Sequence, residues 1–258
     1  MKYYLVCNWK MNPSSFDKAK DLILNYNKLF RSKRGKKNND TQIILCPPYV
    51  YFQLLDEKRS KNIKLGAQDI FWEGAGPYTG QISAKMVREF GAEYVLVGHS
   101  ELRRVGNNEE IINVKIREAL RKHIIPIVCV GYSDHIKETK SIISNFSAEE
   151  VNRIIFAYEP VEAVDTLNPA SFEKVSKSVR EIKKIIFGRF KRKNFWGLIN
   201  IGGKKRLIPR PAILYGGSVN PSNCEQYLYN ADISGFVIGR ESLKPENIKK
   251  IAEKMEKY

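Results

Sequence analysis

Short apolar runs recur along the chain, separated by longer stretches in which apolar positions fall three and four residues apart. The runs predict buried strands and the stretches predict amphipathic helices. Strands are expected at 3–7, 42–46, 63–67, 94–97, 125–130, 153–157, 212–214 and 236–238. Helices are expected between and after them at 15–30, 48–57, 83–90, 108–122, 134–144, 171–187, 221–229 and 245–256. Several carry start signals: Ser147 to Glu150 has capping-box spacing, and Pro221 and Pro245 stand at first-turn positions. Strict alternation of strand and helix implies a parallel sheet with right-handed crossovers. Eight such units predict an α/β chain closed into a single (β/α)8 barrel over residues 1–258.

One segment resists the pattern. Residues 188–211 are rich in Lys, Arg, Gly and aromatics and read as a basic insertion before strand seven, with a small hairpin around Gly202-Gly203. Loops of that length are usually functional or disordered. Composition agrees with one barrel: 258 residues is an ordinary length for it, and 43% hydrophobic residues allow a sizeable core. No run is long and apolar enough to span a membrane, and the N-terminal apolar run turns polar at Asn8, too soon for a signal peptide. Cys7, Cys46, Cys129 and Cys224 lack metal-like spacing and are expected as reduced, buried thiols of a cytoplasmic protein. The net charge of +16 favours anionic ligands, whether small phosphates or nucleic acid.

The candidate chemistry follows the strands, because parallel α/β folds carry their sites at the C-terminal rim. After the first strand come Asn8 and Lys10, the lysine a fixed positive charge at the barrel mouth. After the fourth stands His99, one of only three histidines, and after the sixth Glu159, held at the strand end by Pro160. Gly216, Gly217 and Ser218 follow the seventh strand, and Gly239 and Arg240 the eighth. Phosphate sites of barrels lie there, where glycines let backbone N–H groups approach an anion. A lysine, a histidine, a glutamate and a phosphate cradle on one rim suit proton transfer beside a carbonyl in a small phosphorylated sugar. The glutamate removes the proton, the histidine polarises the carbonyl and the lysine stabilises the enediolate. No cofactor and no metal is called for.

Along nearly its whole length the sequence resembles the triosephosphate isomerases. The matching motifs are Asn8 to Asn12, Gly66 to Asp69, Tyr78 to Ser83, Val97 to Glu101, Ala157 to Val161 and Tyr215 to Asn220. The resemblance implies interconversion of dihydroxyacetone phosphate and D-glyceraldehyde 3-phosphate, by the glutamate base, neutral histidine and closing loop for which this family is known. It implies Lys10, His99 and Glu159 as catalytic residues and Asn8 in the substrate site. Ser218 and the Gly239 backbone would hold the phosphate, Glu101 would pair with Lys10, and Cys129 would lie under the base. It also implies a homodimer in which Thr79, on the third loop, reaches the partner's site.

The sequence departs from the family's pattern in the lid. Where relatives generally continue Trp-Ala-Ile-Gly-Thr-Gly-Lys after the Pro-Val, this chain has Glu162, Ala163, Val164, Asp165, Thr166, Leu167 and Asn168. Asp165 keeps an N–H for the phosphate but brings a carboxylate towards a dianion, so a different lid closure and a weaker phosphate grip are expected. Gln81 and Leu102 replace a glutamate and an arginine common in relatives, which predicts a rebuilt interface. Tyr132 stands where a glutamate is common. Two alternatives accompany the main reading: an isomerase of a related ketose phosphate such as erythrulose phosphate, and a weakly active barrel whose insertion binds nucleic acid through Phe190, Phe195 and Trp196 among basic residues.

Overall fold

Eight parallel strands close into a barrel in sequence order. They are β1 (Tyr3–Asn8), β2 (Thr41–Cys46), β3 (Ile63–Ala67), β4 (Ala92–Val97), β5 (Ile125–Val130), β6 (Ile155–Tyr158), β7 (Ile213–Tyr215) and β8 (Gly235–Ile238). Each pairs with the next, and β1 closes on β8 with Tyr4 opposite Gly235 and Cys7 opposite Ile238. This computed structural model describes residues 3–31, 41–58, 60, 62–164, 166, 168–190, 209–229 and 232–258.

Side chains of a strand alternate between faces, and here both faces are apolar because helices cover the outside. Val6, Ile44, Cys46, Tyr94, Leu96, Ile127, Cys129, Ile155, Ala157, Leu214 and Val237 fill the barrel interior. Their neighbours, among them Leu5, Leu45, Val95, Val128, Phe156, Tyr215 and Phe236, pack outward under the helices. The same parity decides the rim. Two residues beyond Val6, Ala157, Leu214 and Val237 come Asn8, Glu159, Gly216 and Gly239, and all four line one cavity at the barrel mouth.

The helices are α1 (Phe16–Leu29), α2 (Phe52–Lys58), α3 (Ala84–Glu89), α4 (Ser100–Arg104), α5 (Glu109–Arg121), α6 (His135–Ser144), α7 (Ala148–Val151), α8 (Phe172–Phe190), α9 (Cys224–Leu228) and α10 (Pro245–Met255). α1 buries Ala19, Leu22, Ile23 and Tyr26, the single-stripe spacing that lays a helix on a sheet. Ser15, Ser83, Asn108 and Asp134 cap their helices through side-chain oxygens, and Ser147 with Glu150 forms the expected capping box.

Several boundaries differ from expectation. β4 begins two residues early, at Ala92. β6 begins at Ile155, not at 153, because the N–H of Arg153 closes the turn after α7 on Glu150. The helix expected from Pro221 starts at Cys224. Before it, the Asn220 side chain accepts from the N–H groups of Ser222 and Asn223 in a turn. α4 was not expected, since five residues are too few to display a helical period. α8 continues through Gly188, Arg189 and Phe190, so those three belong to a helix and not to the insertion. Residues 191–208 of the basic segment, including the hairpin expected at Gly202-Gly203, lie outside the described residues. All four cysteines are buried free thiols. No described helix is long and apolar enough to cross a membrane.

Candidate active site

The cavity, of about 120 Å³, is lined by Asn8, Lys10, His99, Glu159, Gly216, Gly217, Ser218, Gly239 and Arg240, together with Val164, Thr166, Val219, Asn220, Val237 and Glu241. Residues from both ends of the chain and its middle therefore share one wall. Glu101 and Cys129 stand directly behind it. Thr79 is exposed on the 68–83 loop, away from this cavity, and Asp165 lies outside the described residues.

Lys10 is held in a conformation a lysine rarely adopts. Its φ is +53°, in the left-handed region that costs a residue with a Cβ about 1–2 kcal/mol. Three contacts hold it there: its N–H donates to Asn8 Oδ1 at 3.0 Å, and its carbonyl accepts from Gln68 Nε2 at 2.7 Å. Its ammonium lies 2.8 Å from Glu101 Oε1. Gln68 also donates to the Cys46 carbonyl at 2.9 Å, which ties the β1 loop to the end of β2. The Gly66 to Asp69 motif placed Gln68 on the rim, yet nothing in sequence spacing indicated which loop it would clamp.

His99 caps α4. Its Nδ1 accepts from the Glu101 N–H at 3.3 Å, so the proton of the uncharged ring sits on Nε2, which faces the cavity. Nε2 is 3.8 Å from Glu159 Oε2, too far for a hydrogen bond.

Glu159 is 3% exposed, and its Oε2 is buried without a hydrogen-bond partner. Burial raises its pKa above the ordinary carboxylate value, while His99, the Cys129 thiol and Lys10 pull the other way. The Cys129 thiol is itself pushed well up, by burial and then by the Glu159 charge. Beneath, the β5 end is fixed by a buried carboxylate from α6. Glu138 accepts from the N–H groups of Gly131 at 2.6 Å and Ser133 at 2.9 Å. Its Oε2 lies 3.8 Å from Arg103, whose guanidinium donates to the carbonyls of Gly98 and Cys129.

The described part of the lid, which follows Pro160, is tied down on the turn after β7. The Ser218 hydroxyl bonds the carbonyl of Ala163 at 2.9 Å and also that of Thr166. The Tyr215 hydroxyl accepts from the Ala170 N–H at 3.0 Å and donates to the Gly217 carbonyl at 2.9 Å. Glu162 forms an ion pair with Lys174 on α8.

This geometry agrees with what sequence comparison finds. The sequence model of the triosephosphate isomerase family matches residues 3–255. The chain belongs to the triosephosphate isomerase family. Among curated relatives, the triosephosphate isomerase of Alkaliphilus oremlandii is 34% identical over 252 residues, covering 93% of this chain and 94% of the relative. That of Clostridium botulinum, strain Loch Maree, is 32% identical over 257 residues, with 95% and 96% covered. That of Dictyoglomus turgidum is 33% identical over 259 residues, with 94% and 95% covered. The triosephosphate isomerase barrel thus spans nearly the whole chain, and the basic segment that carried the nucleic-acid alternative lies mostly outside the described residues.

Proposed function

We propose that this chain interconverts dihydroxyacetone phosphate and D-glyceraldehyde 3-phosphate by proton transfer through an enediolate. The observation that carries the reading is the buried Glu159 carboxylate, with one oxygen unpaired, across the cavity from His99 Nε2 and near the Lys10 ammonium. Glu159 takes a proton from the carbon beside the carbonyl, and the electron pair moves onto the carbonyl oxygen. His99 donates from Nε2 to that oxygen, and the Lys10 ammonium stabilises its charge. The imidazole then passes the hydroxyl proton between the two oxygens. Glu159 then returns its proton to the former carbonyl carbon. Nothing is oxidised or reduced overall, so the reading calls for no redox cofactor, and no metal. The turn from Gly216 to Ser218 and Gly239 would receive the phosphate, with Asp165 at the lid.

The test is turnover of glyceraldehyde 3-phosphate in a coupled assay with Glu159→Gln alongside. The variant is expected to lose about 10²–10⁴-fold in kcat. Folded parent protein without turnover would overturn the reading.

We also infer a homodimer. A second cavity, of about 470 Å³, opens beside the first between Tyr49, Gln68, Gln81, Glu101, Leu102 and Val105. Val105, which lines it, is 77% exposed, and Met11 and Val50, in the segments after β1 and β2, are 92% and 76% exposed. The occupant would be the partner's loop bearing Thr79. Sedimentation equilibrium at twice 29.7 kDa is the expected result. A cytoplasmic location accompanies the reading and suits four buried free thiols.

A further inference from the structure

We propose that the guanidinium of Arg240 grips the substrate's phosphate, so that anion affinity in this site rests on a side chain as well as on backbone N–H groups. The proposal rests on the reading of the cavity as a triose phosphate site.

The argument is a count of charge and of available donors around the cavity. The residues that line it include two basic ones, Lys10 and Arg240, and two acidic ones, Glu159 and Glu241. Lys10 is committed to Glu101 at 2.8 Å. Glu241 is committed to Lys244 at 3.2 Å and to Asn247. Arg240 is exposed and makes no ion pair with a described residue. It directly follows Gly239 and lines the same cavity as Ser218 and Asn220.

The Ser218 hydroxyl of that region is already in use. A serine hydroxyl has one proton, and that of Ser218 is directed at the lid carbonyls of Ala163 and Thr166. A dianionic phosphate entering here meets one uncommitted positive group among the described residues, and it is the type best shaped for phosphate. A guanidinium offers a planar fork of donors, is always charged and sheds water more readily than an ammonium.

The test measures binding of glycerol 3-phosphate, a phosphate ester with no carbonyl to isomerise, by calorimetry at several salt concentrations. Parent, Arg240→Ala and Arg240→Lys are compared, with triose phosphate turnover of the parent recorded in parallel. Arg240→Ala is expected to raise Kd by about 10- to 100-fold, the range of a hydrogen bond between charged groups. It is also expected to flatten the dependence of Kd on salt, with Arg240→Lys falling between the two. An unchanged Kd in Arg240→Ala overturns the proposal. So does equal weakening in both variants with the salt dependence intact, which would mark a packing role. If the parent binds the ester through Arg240 but turns over no triose phosphate, the activity reading fails and this proposal stands. A parent that binds no ester overturns both.

Discussion

The Glu159 carboxylate occupies the space that a side chain at Gly216 would need. A Cβ built on Gly216 would lie 2.7 Å from Glu159 Oε1 and 2.8 Å from its Cγ, closer than such atoms approach. The glycine of the β7 turn therefore makes room for the base from the neighbouring strand, a role distinct from any backbone approach to phosphate.

Gly216→Ala should displace the carboxylate while leaving the barrel folded. A misplacement near 1 Å costs about 10²-fold in rate, so a kcat loss of that size is expected. A thermal midpoint close to that of the parent, measured alongside, separates displacement from unfolding.

Glu159 is predicted to trade stability for chemistry. Its folded-state pKa is raised from 4.5, mainly by burial, so the folded protein holds this proton where the unfolded chain has released it. Stability then falls as pH rises from about 4.5 towards the raised value. Glu159→Gln lacks this slope. Urea midpoints at about pH 4 and about pH 7 should show the variant gaining on the parent at the higher pH. Parallel midpoints would remove the prediction.

Glu138 should behave in the opposite sense. Burial is the largest influence on it and raises its pKa. The Ser133 N–H, the Arg103 charge and the Gly131 N–H outweigh burial and hold it below 4.5. Its stabilising contribution is present above 4.5 and is lost as pH falls through the lowered value. Glu138→Gln should cost about 1–3 kcal/mol at neutral pH, with the difference from the parent shrinking on acidification. Denaturant titrations across the acidic range measure both.

Gln68→Glu would set a carboxylate against the carbonyls of Lys10 and Cys46, which now receive two N–H bonds at 2.7 and 2.9 Å. With the Gln68 clamp on the Lys10 carbonyl lost, kcat/KM is expected to fall by about 10- to 100-fold. Retention of parental kinetics would show that Asn8 and Glu101 suffice.

The legible part of this molecule was what local pattern and strand parity carry. Runs such as Ile125–Val130 are short, apolar and β-branched, and amphipathic stretches follow them, so the barrel could be read without coordinates. The rim residues could be read with it, because Asn8, His99, Glu159 and Gly216 each stand at or just past the end of a run. The five-residue α4 was invisible for lack of a period, although it sets the tautomer of His99. Glu138 was invisible because its partner atoms are the N–H groups of the 131–134 turn, which any sequence possesses.

The sequence alone thus determined the strand and helix alternation, the side-chain parity and the set of residues delivered to one rim. These follow from dihedral preferences and hydrophobic periodicity, which act over a few residues. Only the tertiary structure decided that one oxygen of the Glu159 carboxylate is buried without a partner, which glycine gives that carboxylate room, and that the Ser218 hydroxyl serves the lid while the Arg240 guanidinium has no ionic partner among the described residues. Such assignments depend on distances between groups up to about 230 residues apart in the chain, from Lys10 to Arg240. Those distances are set by barrel closure and packing, not by neighbours in sequence.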